Sequence, residues 1–496
     1  MEKQRLPFRK AASWRFLLPC VVAVLMLGVC TKSSPLYPMN DWVDVHCFFT
    51  VGRGIRHGMV PYLDLYEQKG PLIYFLYALA ALVSEDSFLG VFIIEAVCFA
   101  FFLHYSGRIA EVLAGTRRLY PITVAVMGLI VPLTPAFSHG GSAEELMLPV
   151  LAGGLYIVVR AMAGDRKLRP REGMLLGVLT AVAFWSKYTF CGLFVGLAIG
   201  VMIWYFVRKG AADLAALIGF FLLGLLIPSL PLILWFAARG GLSAMWEAYI
   251  LNNLGLYSQN IRGGHYDPPL QNLLNNLPWS IPAVLGLALA YCRKGRRISA
   301  LTLSLSAVGL FVFTYLNGRR YPYYALILSV FAPLGFGCVF PLIRKPLEKY
   351  RSAAKKAAIV LTAVIVLGSP FAASRLSQNA YLLGAPREEM PPYRFAAQIS
   401  QTEDRSLLNY GFLDGGFYYA AGILPAGPFF CTLNISLPQM EEAFSRSIQN
   451  GETAYVVTRQ RPLDEAAPYR LIDECSFPFE GRSWTYYLYR RNDIDG

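Results

Sequence analysis

The sequence predicts a polytopic α-helical membrane protein that carries an α/β domain at its C-terminus. Two observations predict the membrane part: 55% of the 496 residues are hydrophobic and only 16% are charged, and the charges lie in clusters between long apolar runs. This is the composition of multi-pass membrane proteins. A third observation predicts the C-terminal domain, because beyond residue 372 the apolar runs give way to turn signals and short β-like runs.

The apolar runs are long enough to cross a bilayer as helices, which takes about 20 mostly apolar residues. About eleven runs meet this criterion, and Met174–Ser186 is the shortest of them. The predicted spans are Trp14–Cys30, Phe88–Val112, Tyr120–Phe137, Leu146–Ala163, Met174–Ser186, Phe190–Val207, Leu214–Ala237, Leu273–Tyr291, Ala300–Leu316, Tyr323–Ile343 and Ala357–Ala372. Leu72–Val83 is too short to cross and predicts a helix that lies at the membrane surface.

The basic residues predict how these spans are oriented. The first apolar run follows a basic leader and no small-residue cleavage site comes after it, so we expect a retained signal anchor with a cytoplasmic N-terminus. From there on, Lys and Arg concentrate in every second loop, as the positive-inside rule requires. Loop 31–87 and residues 373–496 are therefore expected on the extracytoplasmic side. This loop distribution explains the net charge of +13, and we expect no nucleic-acid partner.

Two domains are predicted, a transmembrane domain over residues 1–372 and an extracytoplasmic α/β domain over residues 373–496. The second has about 120 residues, enough for a modest core of its own. Its β-like runs include Thr453–Gln460 and Ser483–Arg491, and a helix is predicted around Gln439–Asn450. Cys431 and Cys475 could form a disulfide if this domain faces an oxidising compartment, but the sequence leaves their pairing open.

The loop after the first predicted span is long and polar, unlike a plain connection between two helices. After Asp44 its apolar residues recur at helical spacing, which predicts an amphipathic helix on the membrane surface. One interpretation gives this helix a solvated acidic face and snorkelling Arg and Lys side chains. Most single charges in this loop fit that face or snorkelling. Lys69 fits it less well because it lies between Gln68 and the Gly70-Pro71 turn, where a cation is placed to meet an anionic headgroup.

An acidic pair, Glu144 and Glu145, stands at the outer start of a predicted helix. Helix capping accounts for one of the two, since the helix dipole favours negative charge there. Two adjacent carboxylates beside His139 could alternatively bind an acceptor or a divalent metal. No residue spacing in the chain specifies a metal site, so metal binding stays one alternative.

Two further groups lie near the ends of predicted spans. Lys187 stands between two apolar runs and either snorkels to the outer interface or faces a phosphate, because an intramembrane cation needs water or a partner. Tyr321, Tyr323 and Tyr324 could stack on a sugar or an isoprenoid. An interfacial aromatic belt is the simpler explanation for these tyrosines.

Four motifs resemble, in order along the chain, those of the GT-C membrane glycosyltransferases of family 39. In that branch are the dolichyl-phosphate-mannose–protein mannosyltransferases and the bacterial lipid A aminoarabinose transferases. Asp44 stands seventeen positions before Pro61-Tyr62, which precedes DLYEQKGPLIYFL in the first loop. The other motifs are HGGSAEELMLP (His139–Pro149), FWSKYTF (Phe184–Phe190) and RRYPYYALILSVFAPLG (Arg319–Gly335).

This resemblance implies an inverting transfer of a sugar from a polyprenyl-phosphate donor to an acceptor hydroxyl, at the outer side of a bacterial plasma membrane. The acceptor would be an envelope lipid, polymer or protein. Asp44 matches the position of the general base, while Asp41 stays open as an alternative base. The candidate ligands for the lipid phosphate are Lys69 first, Lys187 second and Arg53. The candidates for the acceptor or sugar pocket are Asp41, Tyr62, Asp64, His139, Glu144, Glu145, Tyr323 and Tyr324.

Two other classes of function stay open. A lipid or solute transporter would place broken helices and charges at mid-membrane, often in inverted repeats. Here the charges of the candidate site lie toward the predicted outer surface and the sequence shows no repeat, which favours the enzyme. A non-catalytic receptor or envelope assembly factor would depend on its C-terminal domain and not on Asp44.

Overall fold

The computed structural model describes residues 13–208, 210–256, 268–316, 318–348, 351–479 and 482–494. Most of the basic leader lies outside these residues, namely Lys3, Arg5, Arg9 and Lys10, so the cytoplasmic N-terminus stays a prediction. In the part that is described, the chain is mainly helical and carries a four-stranded sheet near its C-terminus.

The helices are numbered in chain order. The first nine are α1 (Ser13–Cys30), α2 (Val43–Arg56), α3 (Pro71–Val83), α4 (Leu89–Ala114), α5 (Leu119–Ile130), α6 (Ala143–Ala163), α7 (Pro170–Ser186), α8 (Cys191–Val207) and α9 (Ala211–Ala238). The others are α10 (Leu242–Met245), α11 (Asn252–Gly255), α12 (Pro269–Leu274), α13 (Leu277–Tyr291), α14 (Arg297–Tyr315), α15 (Ala332–Glu348), α16 (Arg351–Leu376), α17 (Pro391–Ile399), α18 (Phe417–Ala420) and α19 (Pro438–Asn450). Short 3₁₀ helices span Tyr188–Phe190, Pro322–Phe331, Ala380–Leu382 and Arg387–Glu389, and a π-helix spans Trp246–Leu251.

Each predicted span coincides with a helix. Among the described residues, seven helical segments are long and apolar enough to cross a membrane: Leu89–Ala114, Ala143–Ala163, Tyr188–Val207, Ala211–Ala238, Arg297–Tyr315, Pro322–Ile343 and Lys356–Leu376. Shorter apolar helices cover Arg15–Cys30, Pro71–Val83, Leu119–Ile130 and Leu277–Tyr291. The count of about eleven crossings therefore stays a prediction.

One span ends earlier than its hydrophobicity suggests. The predicted run reaches Phe137, but α5 ends at Ile130. Pro132 and Pro135 follow, and proline lacks the N–H that a helix interior needs. Hydrophobicity alone overestimates this helix, because it does not register the two prolines.

The chain divides into two compact units. The bundle unit comprises Met1–Thr31, Ile93–Pro231 and His265–Ala380. The loop unit comprises Lys32–Phe92, Leu232–Gly264 and Tyr381–Gly496. The first predicted loop and the C-terminal part thus belong to the same unit, and the domain boundary expected at residue 372 stays a prediction.

Glycines allow close helix packing in the bundle unit. A Cβ built on Gly192 of α8 would lie 2.3 Å from the Gly309 carbonyl oxygen of α14, and one on Gly196 would lie 2.2 Å from that of Leu305. Both approaches are too short for any side chain. Small residues at helix contacts are typical of membrane bundles, where close backbone packing replaces the hydrophobic effect.

The sheet of the loop unit has the strand order β1-β2-β4-β3. The strands are β1 (Leu407–Tyr410), β2 (Tyr455–Arg459), β3 (Tyr469–Phe479) and β4 (Arg482–Arg491). β1 and β2 are parallel and α19 connects them, whereas β4 is antiparallel to both β2 and β3. Parallel neighbours need such a crossover, while antiparallel neighbours can be joined by a short turn. The strands and the helix expected from the sequence of this region are confirmed.

The interpretation that gives the first-loop helix a solvated acidic face is wrong. The helix exists as α2, but every residue from Asp44 to Gly54 is buried. On one side Gly52 packs so closely on α3 that a Cβ would lie 2.7 Å from the Tyr77 carbonyl carbon. On the polar side, C-terminal residues of the loop unit cover the helix: Thr50 Oγ1 donates a hydrogen bond of 2.6 Å to Asp414 Oδ2.

Candidate active site

The loop unit brings Asp44 and Lys69 together. Asp44 lies in the first turn of α2, and its Oδ2 is 3.8 Å from the Lys69 ammonium. The same ammonium is 3.8 Å from Glu67 Oε1 and 5.4 Å from the centroid of the Phe48 ring. The cation therefore lies between two carboxylates and against an aromatic ring, in a site that is largely shielded from water.

The segment before α3 is fixed by hydrogen bonds that position Lys69. Tyr62 Oη donates to the Lys69 carbonyl oxygen at 2.6 Å, and the Lys69 N–H donates to Glu67 Oε2 at 3.0 Å. Tyr74 of α3 also donates to Glu67. Asp64 Oδ2 accepts the Val60 N–H at 2.6 Å and so closes a turn. Tyr62 and Asp64 thus hold the loop, and their roles in an acceptor or sugar pocket stay predictions.

Two asparagines that the sequence reasoning missed also hold this segment. Asn253 Nδ2 donates to the Gln68 carbonyl oxygen at 2.6 Å, and Asn252 Nδ2 donates to Tyr66 Oη at 2.9 Å. They come from α11, about 185 positions further along the chain. No local pattern could have pointed to them, because the contact exists only in the folded loop unit.

Asp41 has a lysine of its own, which the sequence reasoning also missed. Lys32 Nζ lies 2.5 Å from Asp41 Oδ1, and its side chain is only 1% exposed. Tyr381 Oη donates to Asp41 Oδ2 at 3.2 Å. Both oxygens of Asp41 are therefore engaged at hydrogen-bond distance, whereas the contact of Asp44 with Lys69 is longer.

Arg53 contacts groups other than Asp44 and Lys69. It is nine residues after Asp44 on α2, which is roughly 13 Å along a helix axis. Its Nε lies 3.8 Å from Glu85 Oε2, and its Nη1 donates to the Tyr418 carbonyl oxygen at 3.4 Å. The structure thus gives Arg53 a partner in the loop unit, and its role as a phosphate ligand stays a prediction.

Two buried ionisable groups, His46 and Asp414, lie where α2 meets the C-terminal residues of the loop unit. A Cβ on Gly416 would lie 2.6 Å from the His46 ring, so only glycine fits there. Desolvation lowers the pKa of His46 to about 4. Desolvation also raises the pKa of Asp414 to about 6, although the hydrogen bond from Thr50 opposes this rise. Burial in both cases favours the neutral form.

The bundle unit brings three other predicted residues together. Lys187 is the C-cap of α7, and its Nζ lies 2.6 Å from Glu144 Oε1 at the start of α6. The same ammonium lies 3.7 Å from the centroid of the Tyr324 ring. The Lys187 side chain is only 10% exposed, which excludes simple snorkelling into water. An ion pair and a cation–π contact stabilise the charge instead.

Glu145 and the tyrosines have structural contacts. Ser142 is the N-cap of α6 and accepts the Glu145 N–H at 3.0 Å, while Glu145 Oε2 accepts the Gly141 N–H at 2.9 Å. Glu145 therefore belongs to the helix start, as the capping interpretation expects for one of the acidic pair. Tyr323 stacks on Tyr321 with ring centroids 5.5 Å apart. His139 is buried beside this helix start. The binding roles of Glu145, His139 and Tyr323 stay predictions.

The described residues contain no group of three or more His, Cys, Asp or Glu side chains that could hold a metal ion. The cysteines that the structure describes are free thiols. Cys431 lies beside Cys47 of α2, with the two sulfur atoms 3.8 Å apart. Cys475 lies on β3, so the structure places Cys431 next to a different cysteine from the one considered in the sequence.

Comparison with known proteins identifies the fold. No family model matches the chain. GPI mannosyltransferase 4 of Eremothecium gossypii is 32% identical over 213 residues, which are 41% of this chain and 40% of that protein, so the chain matches well under half of that relative's length. ArnT from Cupriavidus metallidurans in the apo state aligns with a TM-score of 0.61 and 15% identity, over 97% of this chain and 98% of that one. This chain has the GT-C fold.

A second structure of ArnT, solved with a bound lipid, shows the same similarity of fold. ArnT bound to undecaprenyl phosphate aligns with a TM-score of 0.60 and 14% identity, over 96% of this chain and 98% of that one. The alignments include the C-terminal part as well as the helices. The predicted fold class, a polytopic membrane protein with a small C-terminal α/β part, is confirmed.

Proposed function

We propose that this GT-C protein is a membrane glycosyltransferase that uses a polyprenyl-phosphate-linked sugar. The observation that carries the proposal is the Asp44–Lys69 pair, a shielded carboxylate 3.8 Å from a partly buried ammonium. Two similarities support it: the identity to a GPI mannosyltransferase, and the shared fold with ArnT, whose structure was solved with undecaprenyl phosphate. The acceptor would be a hydroxyl of an envelope lipid, polymer or protein at the outer side of a plasma membrane.

The two side chains fit the two needs of such a reaction. An acceptor hydroxyl is a poor nucleophile, so a carboxylate within hydrogen-bond reach must take its proton as the new bond forms. Asp44 would be this base, and direct attack on the anomeric carbon gives inversion. The leaving group is a lipid phosphate whose charge grows as the bond to the sugar breaks. Lys69 would stabilise that charge.

The contacts favour Asp44 over Asp41 as the base. The Asp44 side chain is 12% exposed, against 7% for Asp41 and 3% for Glu67. Asp41 is held at 2.5 Å by Lys32, and Glu67 is held by Tyr74 and by the Lys69 N–H. A carboxylate oxygen that already accepts such contacts has fewer lone pairs left for a substrate hydroxyl. Asp44 is therefore the better placed of the three.

We also propose roles for two other candidate residues, Lys187 and Arg53. Lys187 carries a buried positive charge beside Glu144 and Tyr324, and we propose it as the second candidate ligand of the lipid phosphate. Arg53, whose Nε lies 3.8 Å from Glu85 Oε2, stays a proposed further ligand of the lipid phosphate. No metal is needed for the proposed steps, and a divalent metal stays one alternative.

The function is tested with the full chain purified and reconstituted in liposomes. Polyprenyl-phosphate donors with labelled hexoses and pentoses are offered together with an envelope extract as the acceptor source. We expect one donor to lose its sugar to an acceptor, and the product to have the opposite anomeric configuration by NMR. Retention of configuration would contradict the base assignment.

The same liposomes test the transporter alternative. A transporter would move the labelled lipid or solute across the bilayer with no change in the glycosidic bond. Flux without any sugar transfer would therefore replace the proposed function. A non-catalytic assembly factor would show neither transfer nor flux, and its effect in cells would survive the replacement of Asp44.

A further inference from the structure

A basic cavity lies in the bundle unit where four helices end. α4, α6 and α13 reach it with their C-terminal ends, and α14 reaches it with its N-terminal end. Its volume is about 350 Å³, within the range of about 300–1,000 Å³ that is usual for small-molecule sites. The positive-inside pattern predicts that these four ends share one side of the membrane, and the structure does bring them together.

The charged residues that line the cavity are all cations: Arg293, Lys294 and Arg296. Among the described lining residues none is acidic. An adjoining cavity of about 650 Å³ shares the same three cations and also reaches Asp165, whose carboxylate pairs with Arg208. The first cavity therefore combines a positive charge with the absence of a lining carboxylate in the described part of the chain.

Two of the cations donate hydrogen bonds to carbonyl groups at helix ends. Arg293 Nη2 donates to the Leu113 carbonyl oxygen at 2.5 Å, and Arg296 Nη2 donates to that of Ala163 at 3.0 Å. These carbonyls lie in the last turns of α4 and α6, where cations stabilise helix C-termini. Lys294 differs, since it is exposed and has no carboxylate within ion-pair distance among the described residues.

The remaining wall of the cavity is apolar and includes Val112, Val159 and Leu303. A cationic rim over an aliphatic wall, at the end of a membrane bundle, matches an amphiphile with an anionic head. Basic pockets between membrane helices are known to bind lipid phosphates. A free phosphate ion would leave the aliphatic wall without a partner.

We propose that this cavity binds the phosphate headgroup of one anionic membrane phospholipid. Lys294 and the remaining N–H groups of Arg293 and Arg296 contact the phosphate, and the aliphatic wall receives the first part of an acyl chain. This site is separate from the proposed chemistry at Asp44, and it would hold a structural lipid against the helix ends.

The test is native mass spectrometry of the full-length protein in detergent, titrated with phosphatidylglycerol, phosphatidylcholine or inorganic phosphate. Lys294→Gln removes a charge that makes no described ion pair. Arg171→Gln is the matched control, because Arg171 is an exposed cation of α7 that lines neither cavity. We expect one tightly retained phosphatidylglycerol, with an affinity that falls about fivefold in Lys294→Gln and is unchanged in Arg171→Gln.

Each other outcome overturns the proposal. Equal affinity for phosphatidylcholine would show that the cavity does not select an anionic headgroup. Inorganic phosphate that competes at the concentration of the lipid would show an ion site without a lipid. Equal weakening in Lys294→Gln and Arg171→Gln would show a general surface attraction and no defined cavity site.

Discussion

At the residue scale, the loop unit places a different lysine beside each of Asp41 and Asp44. Asp41 pairs with Lys32 at 2.5 Å, and Asp44 lies 3.8 Å from Lys69. Both pairs neutralise charge that burial would otherwise penalise. The Asp44–Lys69 pair is the more exposed of the two, which is why the proposed chemistry is assigned there.

Substitution of Lys69 tests the proposed role of its positive charge. Lys69→Met should lower kcat/KM by about 10²-fold or more, because the charge that stabilises the leaving phosphate is lost. Lys69→Arg keeps that charge and should retain part of the activity. Steady-state kinetics with the defined donor measures both variants, and a Lys69→Met variant with normal kcat/KM would remove the cation from the mechanism.

The buried pair His46 and Asp414 predicts opposite effects of pH on stability. The folded-state pKa of His46 is lowered to about 4, so the unfolded chain takes up a proton first as the pH falls, and stability is lost between about 6.5 and about 4. The folded-state pKa of Asp414 is raised to about 6, so stability from its retained proton is lost as the pH rises from about 4 to about 6. The two slopes partly cancel in the native protein.

Removing either group should expose the other slope. Relative to the native protein, His46→Gln should melt at a comparatively higher temperature at pH 4.5 than at pH 7. Asp414→Asn should show the reverse. The melting temperature in detergent across this range measures both, and each group could contribute up to about 3 kcal/mol. If, relative to the native protein, the melting temperatures of both variants changed with pH in the same direction, burial could not be the cause of both pKa shifts.

At the element scale, α2 depends on a glycine contact with α3. A Cβ at Gly52 would lie 2.7 Å from the Tyr77 carbonyl carbon, and rigid backbone cannot move aside easily. Gly52→Ala should therefore destabilise the protein by about 1–3 kcal/mol, as overpacking does. Gly219→Ala on α9 is the control, since nothing lies within 4 Å of its built Cβ. Equal melting temperatures for the two variants would show that α2 and α3 are not in tight contact.

The helices themselves could be predicted from the sequence, while their contacts could not. Hydrophobic runs are local features, so each predicted span coincides with a helix. The burial of α2 depends on Asp414 and Gly416, more than 350 positions further on. The sequence showed an amphipathic pattern but could not show that protein residues, and not solvent, cover its polar side.

The candidate site was predictable to the extent that it repeats a motif. Asp44 and Lys69 were found through the first-loop pattern, and the structure brings them together. Glu67 lies within the same motif but was not singled out. Lys32, Asn252 and Asn253 had no signal in the sequence, because an isolated Lys or Asn in a loop is common and its partner is known only after folding.

At the scale of the whole molecule, the GT-C fold and the two compact units do not by themselves determine the reaction; specific side chains do. A fold can host several activities, and the site decides among them. The bundle unit holds a buried Lys187–Glu144 pair and a basic cavity, and the loop unit holds the Asp44–Lys69 pair. The central claim concerns the last of these.

The most direct test of that claim compares Asp44→Asn with Asp41→Asn in a single-turnover assay, with donor binding measured in parallel. We predict that Asp44→Asn binds the donor but transfers its sugar at least about 10²-fold more slowly, because the general base is lost. Asp41→Asn, at a carboxylate already held by Lys32, should transfer at a rate much closer to normal. Near-normal transfer by Asp44→Asn would contradict the account.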